Sequence, residues 1–399
     1  MSQQEIASVE DLDRWCAHFD HHAPDLTAEI VYDVYARLRE HPIAWSDRHG
    51  GFWVLTRHED VMAAAADHET FSSAEGAHVP RQPGQMLFVP LDFDPPLHTA
   101  YRKVFADALT PARVRETEPQ IRALAAELVS GFAAAGGGDF VQAVAVHLPI
   151  RLISEMLGLS EQVSAQIRSL TERIWEGFGQ DGRTKTALED LIDLLFAEAL
   201  ERRADPREDL LTELVTADVG GRTFTDAELR STLATFAIAG HETTMNASAN
   251  LMYELALRPE LQAEVRDDVP GLRRVIEESL RLRAPAHIFA RTVTHDTEFH
   301  GVQMRQGDKV LLVFASANRD EARCPHAEEF DPGRMMAGSM AFGWGLHRCV
   351  GVHLARAELR ILAQEMLARG PFSVAGEVRV SHMEGGHHMG VRELPLRFE

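Results

Sequence analysis

The chain has 399 residues, a formal net charge of −21 and a hydrophobic content of 45%. No linker, repeat or charge block divides it, so we expect a single domain over residues 1–399. The negative charge argues against a nucleic-acid partner, because phosphates bind basic surfaces. With neither an apolar run of 18 residues nor a secretory signal, the sequence predicts a cytoplasmic protein that does not enter a membrane.

Cysteine and histidine usage also excludes some classes of protein. Cys16, Cys324 and Cys349 are too few and too irregularly spaced for a disulfide framework or a zinc site. The 20 histidines are scattered, and the adjacent pairs at 21–22 and 387–388 lack a third ligand at a useful spacing. We therefore expect most histidines to be surface or packing residues.

In the first third of the chain, periodicity predicts helices at 30–40 and 60–66 and an extended run at 52–56. Residues 72–90 follow neither the helical period nor the strand period, so we expect a long apolar loop there. Pro95 and Pro96 then begin a helix that places His98 and Arg102 one turn apart on one face. Alone, that pair is an ordinary surface feature. Longer amphipathic helices are predicted at 113–135 and 148–157.

One long helix is predicted in the middle of the chain. Thr225 and Glu228 form a capping box, and helical periodicity continues to residue 257. Within the helix, Gly240 costs about 1 kcal/mol relative to alanine, and Glu242 and Thr243 place polar groups beside the apolar stripe. Taken alone, this pattern is equally typical of a packing glycine and a satisfied hydroxyl.

The next helix contains a potential ion pair. Glu278 and Arg281 lie three residues apart, where a carboxylate and a guanidinium can meet. Most such pairs lie at the surface and contribute little stability. The pattern then changes towards a period of two, which predicts short strands at 291–294, 298–300, 302–304 and 309–314.

Residues 342–351, FGWGLHRCVG, place Cys349 in a glycine-rich loop, and helical periodicity follows from 352 to 367. A helix N-terminus favours a thiolate over a thiol. Gly343, Gly345 and Gly351 lack a Cβ, so a flat, bulky group could approach the backbone closely. Most lone cysteines are small buried apolar residues. A buried thiolate, by contrast, needs an electropositive partner, which an iron porphyrin would supply.

The loop resembles the haem-binding loop of the cytochrome P-450 superfamily, with its Phe, its glycines and a His two residues before the Cys. Residues 239–244, AGHETT, resemble the family's oxygen-binding groove. Glu278-x-x-Arg281, together with Arg334, resembles its buried ion-pair motif. The resemblance covers nearly the whole chain from about Tyr32. It implies a mainly α fold with small β-sheets, the triangular helical prism of this family, around a haem b group.

The resemblance also implies roles for individual residues. Cys349 is the implied axial iron ligand, and Glu278, Arg281 and Arg334 are implied to hold the cysteine loop in place. The implied haem contacts are Phe342, Gly343, His347, His98, Arg102 and Arg291, of which the last three would bind the propionates. The implied oxygen-site residues are Gly240, Glu242 and Thr243.

The implied function is a monooxygenase that hydroxylates a hydrophobic molecule with O2 and two electrons. Because the chain has no flavin or iron–sulfur motif, the electrons would come from separate proteins, which in bacterial relatives are a small iron–sulfur ferredoxin and its NAD(P)H reductase. An acidic ferredoxin would suit a basic patch, although such charges are more often simply solvated. The residues expected in that patch are Arg102, Lys103, Arg348, Arg356 and Arg360.

The expected substrate pocket is nearly all apolar, which suits a small hydrophobic molecule oriented by shape. The second half of the chain most resembles terpenoid hydroxylases such as the camphor group, but a fatty acid, an aromatic compound or a macrolide precursor would leave similar patterns. A peroxide-driven peroxygenase and a non-catalytic haem sensor are the alternatives. The Glu242-Thr243 pair argues against the first, and the lack of an output domain argues against the second. The expected pocket residues are Leu87, Phe88, Phe236, Ala239, Ile288, Phe289 and Met389.

Overall fold

The computed structural model describes residues 9–81, 84–176, 183–334 and 338–399. Helices dominate this part of the chain, and none of them is both long and apolar enough to cross a bilayer. The helices are α1 Val9–Ala17, α2 Val31–Arg39, α3 His58–Ala66, α4 Leu97–Ala108, α5 Pro111–Ala134, α6 His147–Met156, α7 Glu161–Glu176, α8 Arg183–Ala204, α9 Leu210–Thr216, α10 Asp226–Ala256, α11 Pro259–Val265, α12 Val269–Leu282, α13 Phe314–Ala317 and α14 Val352–Ala368.

The strands form small sheets, so the predicted fold class, mainly α with small β-sheets, is confirmed. The strands are β1 Ala44–Ser46, β2 Phe52–Leu55, β3 Phe71–Ser72, β4 Gly137–Asp139, β5 Ile288–Val293, β6 Thr297–Phe299, β7 Val302–Met304, β8 Lys309–Val313, β9 Phe372–Val374, β10 Arg379–Val380, β11 Val391–Glu393 and β12 Pro395–Phe398. The largest sheet has five strands in the order β1-β2-β8-β5-β3, and β2 and β8 are its parallel pair.

Helix α10 is the longest helix of the described chain, with 31 residues and a length of about 46 Å at about 1.5 Å per residue. The predicted capping box is present: Thr225 Oγ1 accepts a hydrogen bond from Glu228 N–H, and Glu228 accepts one from Thr225 N–H at 2.8 Å. The apolar residues of α10 are buried on several sides of the helix, so the single apolar stripe expected from the sequence does not describe its buried surface.

The core beside α10 determines where the cysteine loop lies. Leu251 of α10 belongs to one buried cluster with Ile121 of α5, Ile276 of α12 and Leu362 of α14. Burying side chains of this kind stabilises the fold by roughly 1.5–3 kcal/mol each. Because α14 begins directly after the loop, its packing against α10 and α12 holds the loop close to the long helix.

A second buried cluster joins the two ends of the chain. Trp15 and Phe19 pack with Leu311 of β8 and with Met383 and Met389 near the C-terminus. The predicted boundaries of α2, α3, α5, α6 and α14 agree with the structure to within two residues. The described residues between β3 and α4 form neither helix nor strand, as the long-loop prediction requires.

Candidate active site

The cysteine loop is shaped by its own backbone. Cys349 N–H donates to Phe342 O at 2.8 Å, and Gly343 N–H donates to Met340 O at 2.9 Å. Gly343 and Gly345 have φ angles of 69° and 67°, which favour glycine. A Cβ on Gly345 would lie 2.2 Å from Ala65 O at the end of α3. Gly345 therefore serves the packing of the loop on α3, a reason that the sequence did not indicate.

The electrostatic surroundings of Cys349 determine whether its sulfur is a thiol or a thiolate. The residue stays accessible on one side, but protein atoms crowd the sulfur, and burial raises the pKa of the thiol above its ordinary value. A hydrogen bond from Gly351 N–H and the charges of Arg102 and Arg348 oppose this shift without cancelling it. The protein alone does not secure a thiolate, and a metal ion at the sulfur would supply the missing positive charge.

Two histidines and an arginine meet beside the loop. The rings of His98 and His347 lie 4.5 Å apart between centroids. Both ring nitrogens of His98 and Nε2 of His347 are buried without a hydrogen-bond partner among the described residues. Arg291 is 3% exposed, and burial lowers its pKa to about 10. Buried groups without partners are costly, so this set fits an anionic ligand such as the carboxylates of a haem.

Arg102 connects α4 to the cysteine loop. Its Nη2 donates to Arg348 O at 2.6 Å, one residue before Cys349. Burial lowers the pKa of Arg102, and the sulfur of Cys349 acts in the opposite direction. The predicted haem contacts from α4, β5 and the loop are thus brought together with the cysteine, and they fit the group that the resemblance implies.

The oxygen-site motif lies within an unbroken α10. Thr243 Oγ1 donates to Ala239 O at 2.6 Å and is partly exposed. A Cβ on Gly240 would lie 2.9 Å from Ile153 Cδ1 of α6, so the glycine permits close packing of these helices. The hydroxyl oxygen of Thr243 still has lone pairs that can accept a further hydrogen bond.

Glu242 is held by residues that the sequence did not indicate. Its Oε2 lies 3.2 Å from His388 Nδ1, and its Oε1 lies 3.5 Å from Arg392 Nη2. Burial by itself would raise the pKa of Glu242, but His388 and Arg392 outweigh burial and lower it to about 2. The carboxylate is therefore ionised at neutral pH and joined to the C-terminal segment.

The Glu278 and Arg281 pair is buried rather than at the surface. Arg281 is 1% exposed, and it donates to both carboxylate oxygens of Glu278 at 2.8 Å. Arg334 Nε lies 3.4 Å from Glu278 Oε1. Nη1 of Arg281 donates to the carbonyls of Asn318 and Ala327 at 3.0 and 2.7 Å. This network ties α12 to the segment that precedes the cysteine loop.

The loop before α4 lies against α10. Val89 N–H donates to Ser231 Oγ of α10 at 2.8 Å, and that hydroxyl donates to Leu87 O. Phe88 N–H donates to Asp92 Oδ2 at 2.9 Å. Leu87 and Phe88, two of the predicted pocket residues, are thus positioned beside α10 and remain half-buried.

The other predicted pocket residues do not share one face. Phe236 stacks on Phe105 of α4 with centroids 4.6 Å apart, and Ala239 is exposed on α10. Ile288 is buried in the same cluster as Met389, whereas its neighbour Phe289 packs with a different cluster. Adjacent residues of a strand point to opposite faces, so only one of this pair can face the same side as Met389.

The predicted basic patch is partly neutralised. Arg348 is exposed, and Arg102 is directed at the cysteine loop. The positive charge of this surface is therefore smaller than the sequence suggested. Three of the five cations pair with carboxylates: Lys103 with Asp107, Arg356 with Glu277 at 2.6 Å, and Arg360 with Glu118 at 2.6 Å.

Comparison with known proteins identifies the family. The family model for cytochrome P-450 matches residues 150–398. The chain is 34% identical to erythromycin C-12 hydroxylase of Saccharopolyspora erythraea over 387 residues, covering 92% of this chain and 94% of the relative. It is 31% identical to linalool 8-monooxygenase of Pseudomonas putida, covering 87% and 90%.

A solved structure agrees with these relatives. The Mycobacterium marinum cytochrome P-450 in complex with pseudoionone superposes with a TM-score of 0.85 at 31% identity, covering 93% of this chain and 95% of that one. The cytochrome P-450 family uses a haem-iron cofactor, and the residues beside Cys349 fit such a group. This chain belongs to the cytochrome P-450 superfamily, as a bacterial haem-iron monooxygenase.

Proposed function

We propose that this protein hydroxylates a small-to-medium hydrophobic molecule with O2 and two electrons delivered by a separate ferredoxin and its NAD(P)H reductase. The observation that carries the proposal is the convergence, beside Cys349, of buried Arg291 with the ring of His98 and with Nε2 of His347, whose nitrogens lack hydrogen-bond partners among the described residues. Residues 1–399 act as one domain in this proposal, and the cluster joining Trp15 to Met389 supports it. A supply of NAD(P)H favours a cytoplasmic location.

The cofactor in this proposal is haem b, held without covalent attachment. Cys349 provides the thiolate ligand, and Phe342 and Gly343 shape the loop around it. His98, Arg102 and Arg291 would hold the two propionates, with His347 beside them, and the buried ring nitrogens would then gain hydrogen-bond partners. When bound, the haem iron supplies the activation of O2 and the insertion of one oxygen atom into a C–H bond.

In this proposal, residues of α10 deliver protons to the oxygen site. Thr243 Oγ1 accepts or donates a hydrogen bond on the side of the helix where Ala239 is exposed. Glu242, ionised and fixed by His388 and Arg392, passes protons towards that hydroxyl from the C-terminal segment. Gly240 lets α10 pack closely on α6 and thereby sets the position of Thr243.

The substrate class is inferred from the apolar side chains near α10. Leu87, Phe88 and Phe236 offer contact area but few hydrogen-bonding groups, which suits orientation by shape. Terpenoid names recur among the similar proteins, in linalool 8-monooxygenase and in the complex with pseudoionone. Erythromycin C-12 hydroxylase is more similar in sequence, at 34% identity against 31%, and its name indicates a much larger molecule. We propose an acyclic or monocyclic terpenoid as the substrate class.

The thiolate assignment is tested by the optical spectrum of the reduced CO complex. Cys349→Ala should lose the band of a thiolate-ligated haem, whereas Cys16→Ala should keep it, because Cys16 lies in α1 and packs against the buried cluster that joins the two ends of the chain. A thiolate band retained in Cys349→Ala would overturn the proposal.

The substrate class is tested by spectral titration of the haem protein with terpene alcohols, terpene ketones, fatty acids and a macrolide precursor. A fitting terpenoid should shift the iron from low to high spin with micromolar affinity and should then be hydroxylated in a reconstituted ferredoxin system. A spin shift and turnover with the macrolide alone would refute the terpenoid assignment while leaving the monooxygenase intact.

A further inference from the structure

Histidines from separate segments meet near the N-terminus, away from the cysteine loop. One ligand atom from each of Asp20, His21 and His49 lies within 4.8 Å of the other two. The centroids of the His21 and His49 rings are 5.6 Å apart, and Asp20 Oδ1 is 2.7 Å from His49 Nε2. The pair at 21–22 has no third ligand at a useful spacing in the sequence, and the fold supplies His49 from the turn before β2.

The buried member of this cluster has an unused nitrogen. His21 is 2% exposed, and its Nε2 lies 2.7 Å from Val79 O, to which it donates as the Nε2–H tautomer. Its Nδ1 is buried without a hydrogen-bond partner in the described part of the chain. An imidazole that donates through one nitrogen to a carbonyl and keeps the other for a metal is the usual arrangement of a metal ligand.

The surroundings give the cluster one closed side and one open side. A Cβ on Gly386 would lie 2.7 Å from His21 Cδ2 and 2.5 Å from His22 Nε2, so the segment between β10 and β11 packs directly on these rings. The side chains of His49 and Asp20 remain 23% and 26% exposed. An ion could therefore enter from solvent and meet a ligand that is already held in place.

We propose that Asp20, His21 and His49 form a binding site for a divalent transition metal of the Zn2+ class. Two imidazoles and one carboxylate suit zinc, and water would complete a tetrahedral set. Calcium and magnesium prefer oxygen-rich sites and should bind poorly. The ion would connect the segment after α1 to the turn before β2, so it would stabilise the folded N-terminal region.

The test uses the full-length haem protein without a histidine tag, freed of metal by chelator dialysis. Calorimetric titration with ZnCl2 should give one tight site per chain, and MgCl2 should give none. His49→Gln should lower the zinc association constant about tenfold or more, and so should Asp20→Asn. Because His49 and Asp20 are partly exposed, these variants should still fold, as the CO spectrum verifies.

A matched control comes from the same two segments. His18 Nδ1 lies 3.0 Å from Asp47 Oδ1, so His18→Gln removes an exposed histidine that pairs with a carboxylate but has no third ligand beside it among the described residues. Zinc should bind this variant as it binds the parent, and it should raise the thermal midpoint of both but not of His49→Gln. Weak binding at several sites, equal in all variants, would mean that zinc meets only scattered histidines and would overturn the proposal.

Discussion

Thr243 already has a local acceptor in Ala239 O, so its side chain has a fixed direction before any ligand binds. Thr243→Ala should retain haem and substrate binding, because neither depends on the hydroxyl. Proton delivery should become disordered, so a larger share of the electrons should leave as hydrogen peroxide. The measurement is product formed per NAD(P)H oxidised, with peroxide assayed alongside; we expect at least a severalfold fall in coupling.

Thr235 provides the comparison for this variant. Its Oγ1 donates to Ser231 O at 2.9 Å, the same local bond on the same helix two turns earlier. Thr235→Ala removes an equivalent hydrogen bond outside the proposed oxygen site and should leave coupling unchanged. Equal uncoupling in both variants would assign the effect to the helix rather than to Thr243.

Glu358 of α14 has a buried carboxyl group whose titration should change the stability of the fold. It is 2% exposed, its Oε2 has no partner among the described residues, and burial raises its pKa to about 8. The unfolded chain releases this proton near pH 4.5, whereas the folded chain keeps it until about pH 8. Stability is therefore lost as the pH rises between those values.

Glu358→Gln removes this titration, so the stability of the variant should depend less on pH than that of the parent. Relative to the parent, the variant should gain stability as the pH rises from 5, by roughly 3 kcal/mol at pH 7. Thermal unfolding of both proteins at pH 5, 6, 7 and 8 measures the difference. If the unfolding midpoints of the two proteins change with pH in parallel across this range, the Glu358 carboxyl does not titrate as proposed.

At the scale of elements, the cysteine loop depends on its contact with α3. Gly343 and Gly345 have nearly equal positive φ angles, but a Cβ on Gly345 would meet Ala65 O at 2.2 Å, whereas one on Gly343 would find no atom closer than 3.8 Å. Backbone strain should cost both alanine variants about 1 kcal/mol. Only Gly345→Ala must also displace α3 or the loop.

We therefore expect Gly345→Ala to lose more thermal stability and more bound haem than Gly343→Ala. The measurements are the unfolding midpoint and the ratio of haem absorbance to protein absorbance after purification. If the two variants behave alike, the contact with α3 does not decide the loop conformation. The neighbouring network of Glu278, Arg281 and Arg334 holds the preceding segment in both variants.

At the scale of the whole molecule, a chain with a net charge of −21 would present a locally positive surface near Cys349. Because Lys103, Arg356 and Arg360 are paired with carboxylates, exposed Arg348 should carry much of the attraction for an acidic ferredoxin. Arg348→Gln should slow reduction by ferredoxin severalfold at low salt, and the difference should shrink as salt screens the charges.

Stopped-flow reduction at several ionic strengths measures this effect. Arg379→Gln is the control, because Arg379 is an exposed arginine of β10 that pairs with Glu393 on β11. Ferredoxin should reduce this variant at the parental rate at every salt concentration. A salt-independent loss in Arg348→Gln would point to a disturbed haem environment instead of a docking surface.

The sequence by itself determined the features that depend on neighbours within a few residues. The capping box at Thr225, the helix behind Cys349 and the short strands of β5 to β8 follow from local periodicity, and the structure confirms them. The family was also identified from sequence, because the spacing around Cys349 and around Thr243 is local. These features need only hydrogen bonds and side-chain directions that repeat within one or two turns.

Only the tertiary structure decided which distant groups meet. Glu242 is joined to Arg392, 150 residues later, and Gly345 must be small because of Ala65. His49 completes a cluster with Asp20 and His21, and the strand geometry of β5 separates Ile288 from Phe289. Local periodicity specifies which face of an element is buried, but the partner on that face is chosen by how the elements pack around α10 and the sheets.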